Sequence, residues 1–482
     1  MTGQCVSRLA WFSPIPPVRS GISQYNRELL PALTNDHDID VFVDGSPELF
    51  QPPVPSVRVF SAYDFLWKVR AHPYDLMVYQ IGNAPCHDYM WAYLVRYPGL
   101  VILHDGQLHH ARGRTLLQLW PQRPNEYREE FWFNHPDANA DLAQLGAAGL
   151  LGSLTYLWPM LRAVVESSRR ILVHNHWLAD QIREAHQDTA VDAIDMGVPE
   201  SAPRTTARQD IRARHGIADE SVVFMAFGKV TPEKRLREAL HALVGISGAA
   251  PHAHLLLAGE TVEYYDLRAE AQRLGIDEKV TIAGYIADEE IDDYLAAADV
   301  CLSMRWPTSR ETSASWIRCL AAGKPTITTD LAHTVDMPTL DPRNWSVLEA
   351  RLKSSPTDES SPTEEQTGEE SIGPVGVSID ILDEDHSLEL AMQRLATDAR
   401  LRATLGANAR ALWNDRFRLD VMVAAYGKVI RDAIATPSPD ATTLARMPAH
   451  LRATGLEYGG GVLRAAGLSA DAIAGLWTPE HD

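Results

Sequence analysis

In "FMAFGKVTPEKRLREAL" an apolar run gives way to a helical pattern, and Lys229 and Lys234 bracket the junction. Ammonium groups beside the free amides of a helix start suit a diphosphate, which needs point charges together with backbone donors. A second polar set lies in "SMRWPTSRETSASWIRCLAAGKP". There Glu311, when ionised, only accepts hydrogen bonds and so suits the paired hydroxyls of a sugar. Thr312 and Ser313 add hydroxyls and helix-start amides, and Arg305 and Arg310 add positive charge. The following helix is expected to end at Gly323, with a strand beginning near Pro325. Together these residues describe a loop for a sugar and part of its phosphate. Solvated lysines at a helix start are the blander alternative.

Three loops of the N-terminal half carry further candidates. In "SPIPPVRSGISQYNRELL", prolines stiffen a turn and Ser20-Gly21 opens a helix whose free amides attract anions. "YQIGNAPCHDYM" offers Asn83 and His87 just after a strand. "VILHDGQLHHARGR" places His104 and Asp105 directly behind four apolar residues, a strand-end position with many hydrogen-bonding options. His109 and His110 read as residues of a helix surface. No HxH or HExxH pattern accompanies these histidines, and no metal is expected. The chain also lacks a GxxxxGK phosphate loop and, after its first strand, a GxGxxG turn, which argues against a P-loop nucleotidase and a dehydrogenase.

Short apolar strands alternating with helices must position these loops. "SRLAWFS", "DIDVFVD", "DLMVYQIG", "GLVILHD" and "RRILVHN" form one series; "SVVFMAFGKV", "AHLLLAGE", "KVTIAGYI", "ADVCLSM" and "KPTITTD" form another. Such runs imply parallel sheets covered on both faces. Two doubly wound α/β domains are therefore expected, over 1–200 and 201–435, joined by "DMGVPESAPRTTARQD" and followed by a linker and helical tail over 436–482. Ligands bind beyond the carboxyl ends of parallel strands, so a cleft between the two domains is expected. The stretch 353–373 holds six acids against one lysine and reads as a mobile surface loop.

At 482 residues and a net charge of -20, the chain is a multidomain globular protein and no general nucleic-acid binder. Four cysteines without metal-ligand spacing fit reduced thiols of a cytoplasmic protein. The start "MTGQCVSRLAWF" reads as a first strand rather than a signal peptide. From Leu142 to Leu161 no side chain is charged, which suggests a buried helix pair or lid, with interfacial membrane contact as the second reading.

With the loops assembled, residues 7–430 resemble retaining nucleotide-sugar glycosyltransferases of the GT-B fold, in glycosyltransferase family four. The resemblance is carried by "SPIPPVRSGISQY", "YQIGNAP", "LHDGQLHH", "AFGKVTPEKR", "LLLAGE", "VTIAGYIADEEIDDYLAAADVCL" and "RWPTSRETSASWIRCLAAGKP". It implies two Rossmann-like domains, the N-terminal one for the acceptor and the C-terminal one for the nucleotide sugar. By position it makes Lys229 and Lys234 the pair holding the donor diphosphate, and Gly21 the loop glycine near that phosphate. Glu311 would face the transferred sugar, His104 would contact its hydroxyls, and Tyr285 would approach the base.

Two positions depart from the family pattern. Arg318 stands where many relatives have a second glutamate that bonds the ribose, and Arg310 replaces the glycine of a "GETS" loop. The resulting expectation is a metal-independent enzyme of the polysaccharide-biosynthesis kind. It would move a sugar from a nucleotide donor to a glycan, lipid-linked or small-molecule acceptor, with peripheral contact at the inner face of a membrane an added expectation. The alternatives are a non-catalytic partner subunit and a nucleotide-sugar epimerase.

Overall fold

The computed structural model describes residues 6–119, 122–348 and 372–452. It divides into two compact units. The first runs to Asp195 and also takes in Ser309–Thr312 and the chain from Met422; the second comprises Met196–Thr308 and Ser313–Val421.

In the first unit the strands are β1 (Ser7–Phe12), β2 (His37–Val43), β3 (Arg58–Ser61), β4 (Leu76–Ile81), β5 (Leu100–Leu103), β6 (Arg170–Val173) and β7 (Ala190–Ala193). They form one parallel sheet in the order β3-β2-β1-β4-β5-β6-β7. β4 and β5 are buried at every position, as runs without polar alternation require when both faces are covered. Rings of Phe12, Phe42 and Tyr79 stack at the centre, with centroids 5.2 and 4.8 Å apart. The order reverses between β1 and β4, so the loops carrying Gly21 and Asn83 flank the position where open parallel sheets receive ligands.

The second unit has β8 (Val222–Phe227), β9 (Ala253–Ala258), β10 (Val280–Gly284), β11 (Val300–Ser303), β12 (Thr326–Thr329), β13 (Thr339–Leu340), β14 (Val347–Leu348) and β15 (Gly376–Ile379). Their order is β10-β9-β8-β11-β12-β15-β13-β14, parallel except for the short β13-β14 pair. Here the reversal falls between β8 and β11, whose loops hold Lys229, Lys234 and Arg305. The helix Ala314–Ala321 ends before Gly323, whose φ of 61° is costly for residues with a Cβ.

Two sequence expectations need revision here. The second domain was expected to reach residue 435, but from Met422 the helix Leu419–Ala435 counts with the first unit. Its Tyr426 is buried with the ring 6.5 Å from that of Trp11. After 437–440, which have no regular structure, come the short helices Ala441–Ala445 and Ala449–Arg452, and Met447 and Leu451 join the first unit's core. The acidic stretch lies outside the described residues up to position 371, as does the tail beyond residue 452.

The uncharged stretch is not a buried helix pair either. It folds as the helix Ala140–Ala147 and a 3-10 turn, Gly152–Leu157, separated by glycines at φ 72° and 53°. Those breaks leave Leu145, Leu150, Leu154 and Leu157 exposed. Among the described residues no helix is long and apolar enough to cross a membrane.

Candidate functional site

In the second unit, the chain leaving β8 turns at Gly228, φ 83°, and comes back through the 3-10 turn Pro232–Lys234. Lys234 Nζ donates to the Phe227 carbonyl at 2.5 Å. A Cβ on Gly228 would stand 3.2 Å from that Nζ, so a side chain there would push the ammonium aside. The turn is fixed against the loop after β11, where Trp306 N donates to the Glu233 carbonyl at 2.7 Å and Arg305 N to Thr329 Oγ1 at 3.1 Å.

Burial, and then the neighbouring Arg305 charge, lower the Lys234 pKa to about 7. Lys229 is exposed, and no polar partner engages it among the described residues. This end of the sheet thus gathers three cations of different character: one exposed lysine, one lysine poised to take up a proton, and one permanent guanidinium.

Other candidates of this unit sit nearby in the chain. Ser313 accepts from Trp316 N at 3.3 Å and caps the helix Ala314–Ala321, so its hydroxyl already has a structural task. Arg318 is half-buried on that helix. Tyr285 follows Gly284, φ 74°, and is half exposed beyond β10.

The first unit assembles a polar floor at the ends of β4, β5 and β6. His104 Nε2 lies 2.5 Å from Gln80 Oε1; an amide oxygen only accepts, so Nε2 carries the proton. His174 Nε2 is 3.1 Å from the Tyr25 hydroxyl, which lies 2.5 Å from that of Tyr426. Burial pushes His174 and His87 each down to about 4 and His104 well below its ordinary value, so all three imidazoles are neutral. His87 Nδ1 donates to the Gln80 carbonyl at 2.7 Å, and its ring is fully buried. Asp105 Oδ2 accepts from Asn83 N at 2.7 Å. Asn83 itself is a bracket: its Nδ2 donates to the Gln107 carbonyl and its Oδ1 accepts from Ala111 N at 3.2 Å.

Gly21 is exposed, with nothing within 4 Å of where a Cβ would lie, and Ser20 caps its helix by accepting from Ser23 N at 3.0 Å. Room for an incoming group therefore exists at that helix start. His109 departs from the surface position expected of it: it is buried, with Nε2 2.6 Å from the Tyr127 hydroxyl and Nδ1 2.9 Å from the Trp158 carbonyl. Its ring serves packing. Among the described residues no group of three or more His, Cys, Asp or Glu could hold a metal ion.

Residues 309–312 were expected to belong with the second domain, yet they count with the first unit. Thr312 Oγ1 donates to the His174 carbonyl at 2.9 Å, and Asn175 Nδ2 donates to the Arg310 carbonyl at 3.2 Å. Arg310 takes a left-handed conformation, φ 62°, which explains physically why a glycine would suit this position. Its Cβ stands 3.0 Å from where Gly106 would carry one, and its guanidinium lies 5.6 Å from the Trp177 ring centre. Glu311 is half-buried in the same segment.

The structure therefore groups Gly21, Asn83, His87, His104, Asp105, Glu311 and Thr312 in one unit, and Lys229, Lys234, Tyr285, Arg305 and Ser313 in the other. Sequence reasoning passed over Tyr25, His174, Asn175 and Trp177. A signal for two of them was present: "RRILVHN" ends in His174-Asn175 as "VILHD" ends in His104-Asp105.

Comparison with known proteins agrees with this architecture. Residues 207–336 match the family described as Glycosyl transferases group 1. A mannosylfructose-phosphate synthase of Agrobacterium fabrum is 31% identical over 131 residues, 25% of this chain and 28% of that protein. The chain thus spans little more than a quarter of that curated relative. Among solved structures, sucrose-phosphate synthase of Thermosynechococcus elongatus has a TM-score of 0.58 at 16% identity, over 89% of this chain and 100% of that one. Anabaena Alr3699/HepE in complex with UDP gives 0.57 at 16% identity, over 89% and 100%. Residues 207–336 thus match the glycosyl transferases group 1 model, within a chain whose two α/β units have the fold of GT-B glycosyltransferase structures.

Proposed function

We propose that the protein is a retaining, hexosyl-type glycosyltransferase of family four that takes its sugar from a nucleotide-diphosphate donor. The observation that carries the reading is the cation set at the β8–β11 switch point, with Lys229, Lys234 and Arg305 on the loops where a parallel sheet receives ligands. A UDP complex of a structural neighbour with this fold supports a nucleoside diphosphate as the ligand class.

In this account Lys229 and Lys234 hold the donor diphosphate, and their charge stabilises the negative charge that grows on its leaving oxygen. Gly21 lets the first unit's helix amides approach that phosphate, and Tyr285 meets the base. Glu311 and His104 receive hydroxyls of the transferred sugar, with Thr312 and Ser313 holding the backbone of that loop in place. Asn83, His87 and Asp105 shape the acceptor side. The acceptor hydroxyl attacks from the face the diphosphate leaves, and a diphosphate oxygen takes its proton, so retention needs no separate base. Lysines supply the electrostatic role, so no metal is invoked.

The test is acceptor-dependent release of nucleoside diphosphate from a panel of UDP-, GDP- and ADP-sugars, using glycan, lipid-linked and small-molecule acceptors. Release that requires an acceptor, with the product anomer matching the donor, is the expected result. Donor breakdown without any acceptor would favour an epimerase. Donor binding without turnover over the whole panel would favour a partner subunit.

A further inference from the structure

Between residues 145 and 157 four leucines, Leu145, Leu150, Leu154 and Leu157, are 40%, 69%, 50% and 66% exposed. No charged side chain interrupts them. Single exposed leucines are ordinary, but an uncharged ridge of this kind marks a surface that meets something apolar.

A groove carrying two arginines and one glutamate adjoins the ridge. The helix Pro124–Asn134 packs on the helix Ala140–Ala147, and Arg128 Nη1 donates at 3.2 Å to Oε1 of Gln144, the residue before Leu145. Arg128 and Arg446 line a groove of about 510 Å3 together with Asn125, Glu129, Trp132 and Pro448. Neither arginine forms a salt bridge among the described residues: Arg128 bonds Asn125 and Gln144, and Arg446 bonds Thr443 while its charge helps hold the Asp440 carboxyl below its ordinary pKa. Glu129 is committed elsewhere, its Oε1 accepting from Ala449 N at 2.8 Å. Trp132 is 44% exposed.

An uncharged leucine ridge, a half-exposed indole and two arginines outside any salt bridge are the three ingredients of a lipid–water boundary. Leucines enter the acyl region, indole rings settle among headgroups, and guanidiniums bond lipid phosphates. The net charge of -20 does not oppose this. Charge elsewhere on the molecule is screened beyond a Debye length of about 8 Å at physiological ionic strength.

We propose that this face of the first unit seats on an anionic lipid bilayer, with Leu150, Leu154 and Leu157 in the acyl boundary and Arg128 and Arg446 on lipid phosphates. The inference does not depend on the glycosyltransferase reading, since it uses none of the donor-site residues.

The full chain is sedimented with vesicles of phosphatidylcholine alone and of phosphatidylcholine with phosphatidylglycerol. The wild type is expected to pellet with the anionic vesicles. The triple variant Leu150→Ser, Leu154→Ser, Leu157→Ser should lose about tenfold in vesicle affinity, as expected when apolar insertion is removed. Arg128→Ala with Arg446→Ala should remove the preference for the anionic lipid. All five side chains lie at the surface, and circular dichroism with a melting curve checks that each variant is folded. No pelleting above a protein-only control, or unchanged pelleting of the triple serine variant, overturns the proposal. So does a dimer, seen by light scattering, that the serine variant converts to monomer while vesicles bind neither. Inorganic phosphate that protects the groove as well as vesicles do also overturns it.

Discussion

Lys234 Nζ donates to the carbonyl of Phe227, the last residue of β8, at 2.5 Å, and this contact holds an ammonium group inside the turn that follows the strand. The arrangement has a cost. A buried lysine next to Arg305 loses affinity for its proton, and its pKa falls to about 7. The unfolded chain holds that proton up to about pH 10. Between those values the unfolded state binds more protons, so this group makes stability rise with pH from about 7 towards 10, and its penalty is fully present below 7.

An anionic ligand reverses that preference. Binding of a nucleotide sugar should raise the Lys234 pKa, and near pH 8 should take up close to one proton. Calorimetry in two buffers of different ionisation enthalpy reads that number directly. Affinity should fall as pH rises above about 7, and Lys234→Met should abolish the uptake. A pH-independent affinity between 6 and 9 would falsify the role given to Lys234.

Lys229 presents the opposite case, being exposed and engaged by no polar partner among the described residues. Lys229→Ala should leave the melting temperature unchanged. It should weaken donor binding by about 1.5–3 kcal/mol, the range for a hydrogen bond to a charged group. Equal affinities for variant and wild type would place the diphosphate elsewhere.

The buried pair Arg112–Glu130, Nε to Oε1 at 2.5 Å, with His450 Nε2 2.7 Å from Oε2, fastens the tail to the first unit. Burial alone would raise the Glu130 pKa, but Arg112 and His450 outweigh it and hold the carboxyl at about 2. Its contribution is therefore present above the ordinary carboxylate pKa and is lost as pH falls from there towards 2. Glu130→Gln leaves a buried guanidinium uncompensated and should destabilise by about 3–5 kcal/mol. Urea denaturation at pH 7 measures it, and a loss under 1 kcal/mol would contradict the account, being ordinary for a surface pair.

Arg310 tests the backbone reading of its loop. A left-handed residue with a Cβ carries about 1–2 kcal/mol of strain that glycine does not. Arg310→Gly should hold or raise stability despite losing the contact with Trp177, whereas Arg310→Val should lower it because β-branching is worst at φ 62°. If the valine variant is the more stable of the two, the loop does not keep this conformation in solution.

Much of the fold was legible because parallel strands buried on both faces have a plain signature: "GLVILHD" and "SVVFMAFGKV" could hardly be anything else. Positions just after such strands followed at once, which is why Lys229, His104 and Asn83 were singled out as candidates. Pairing across long separations was not legible. Nothing near Thr312 says that its hydroxyl meets the His174 carbonyl, 138 residues earlier in the chain. Nor does the pattern of the helix Leu419–Ala435 reveal which unit its Tyr426 enters. The uncharged stretch misled because apolar content argues for burial, while the turns at Gly149 and Gly152 decide exposure.

The central claim is a nucleotide-sugar site built on the β8–β11 cations, and a thermal-shift titration tests it most directly. The full chain is melted with UDP, GDP, ADP and their common sugars, alongside Lys229→Ala and Glu311→Ala. A ligand that binds only the folded state at about 100 times its dissociation constant stabilises by about 2.7 kcal/mol, a shift easily read. The account predicts that one nucleotide series stabilises the wild type. The effect should be lost in the lysine variant, and in the glutamate variant it should weaken for the sugar conjugate alone. No shift with any nucleotide, or a shift that Lys229→Ala leaves intact, would contradict it.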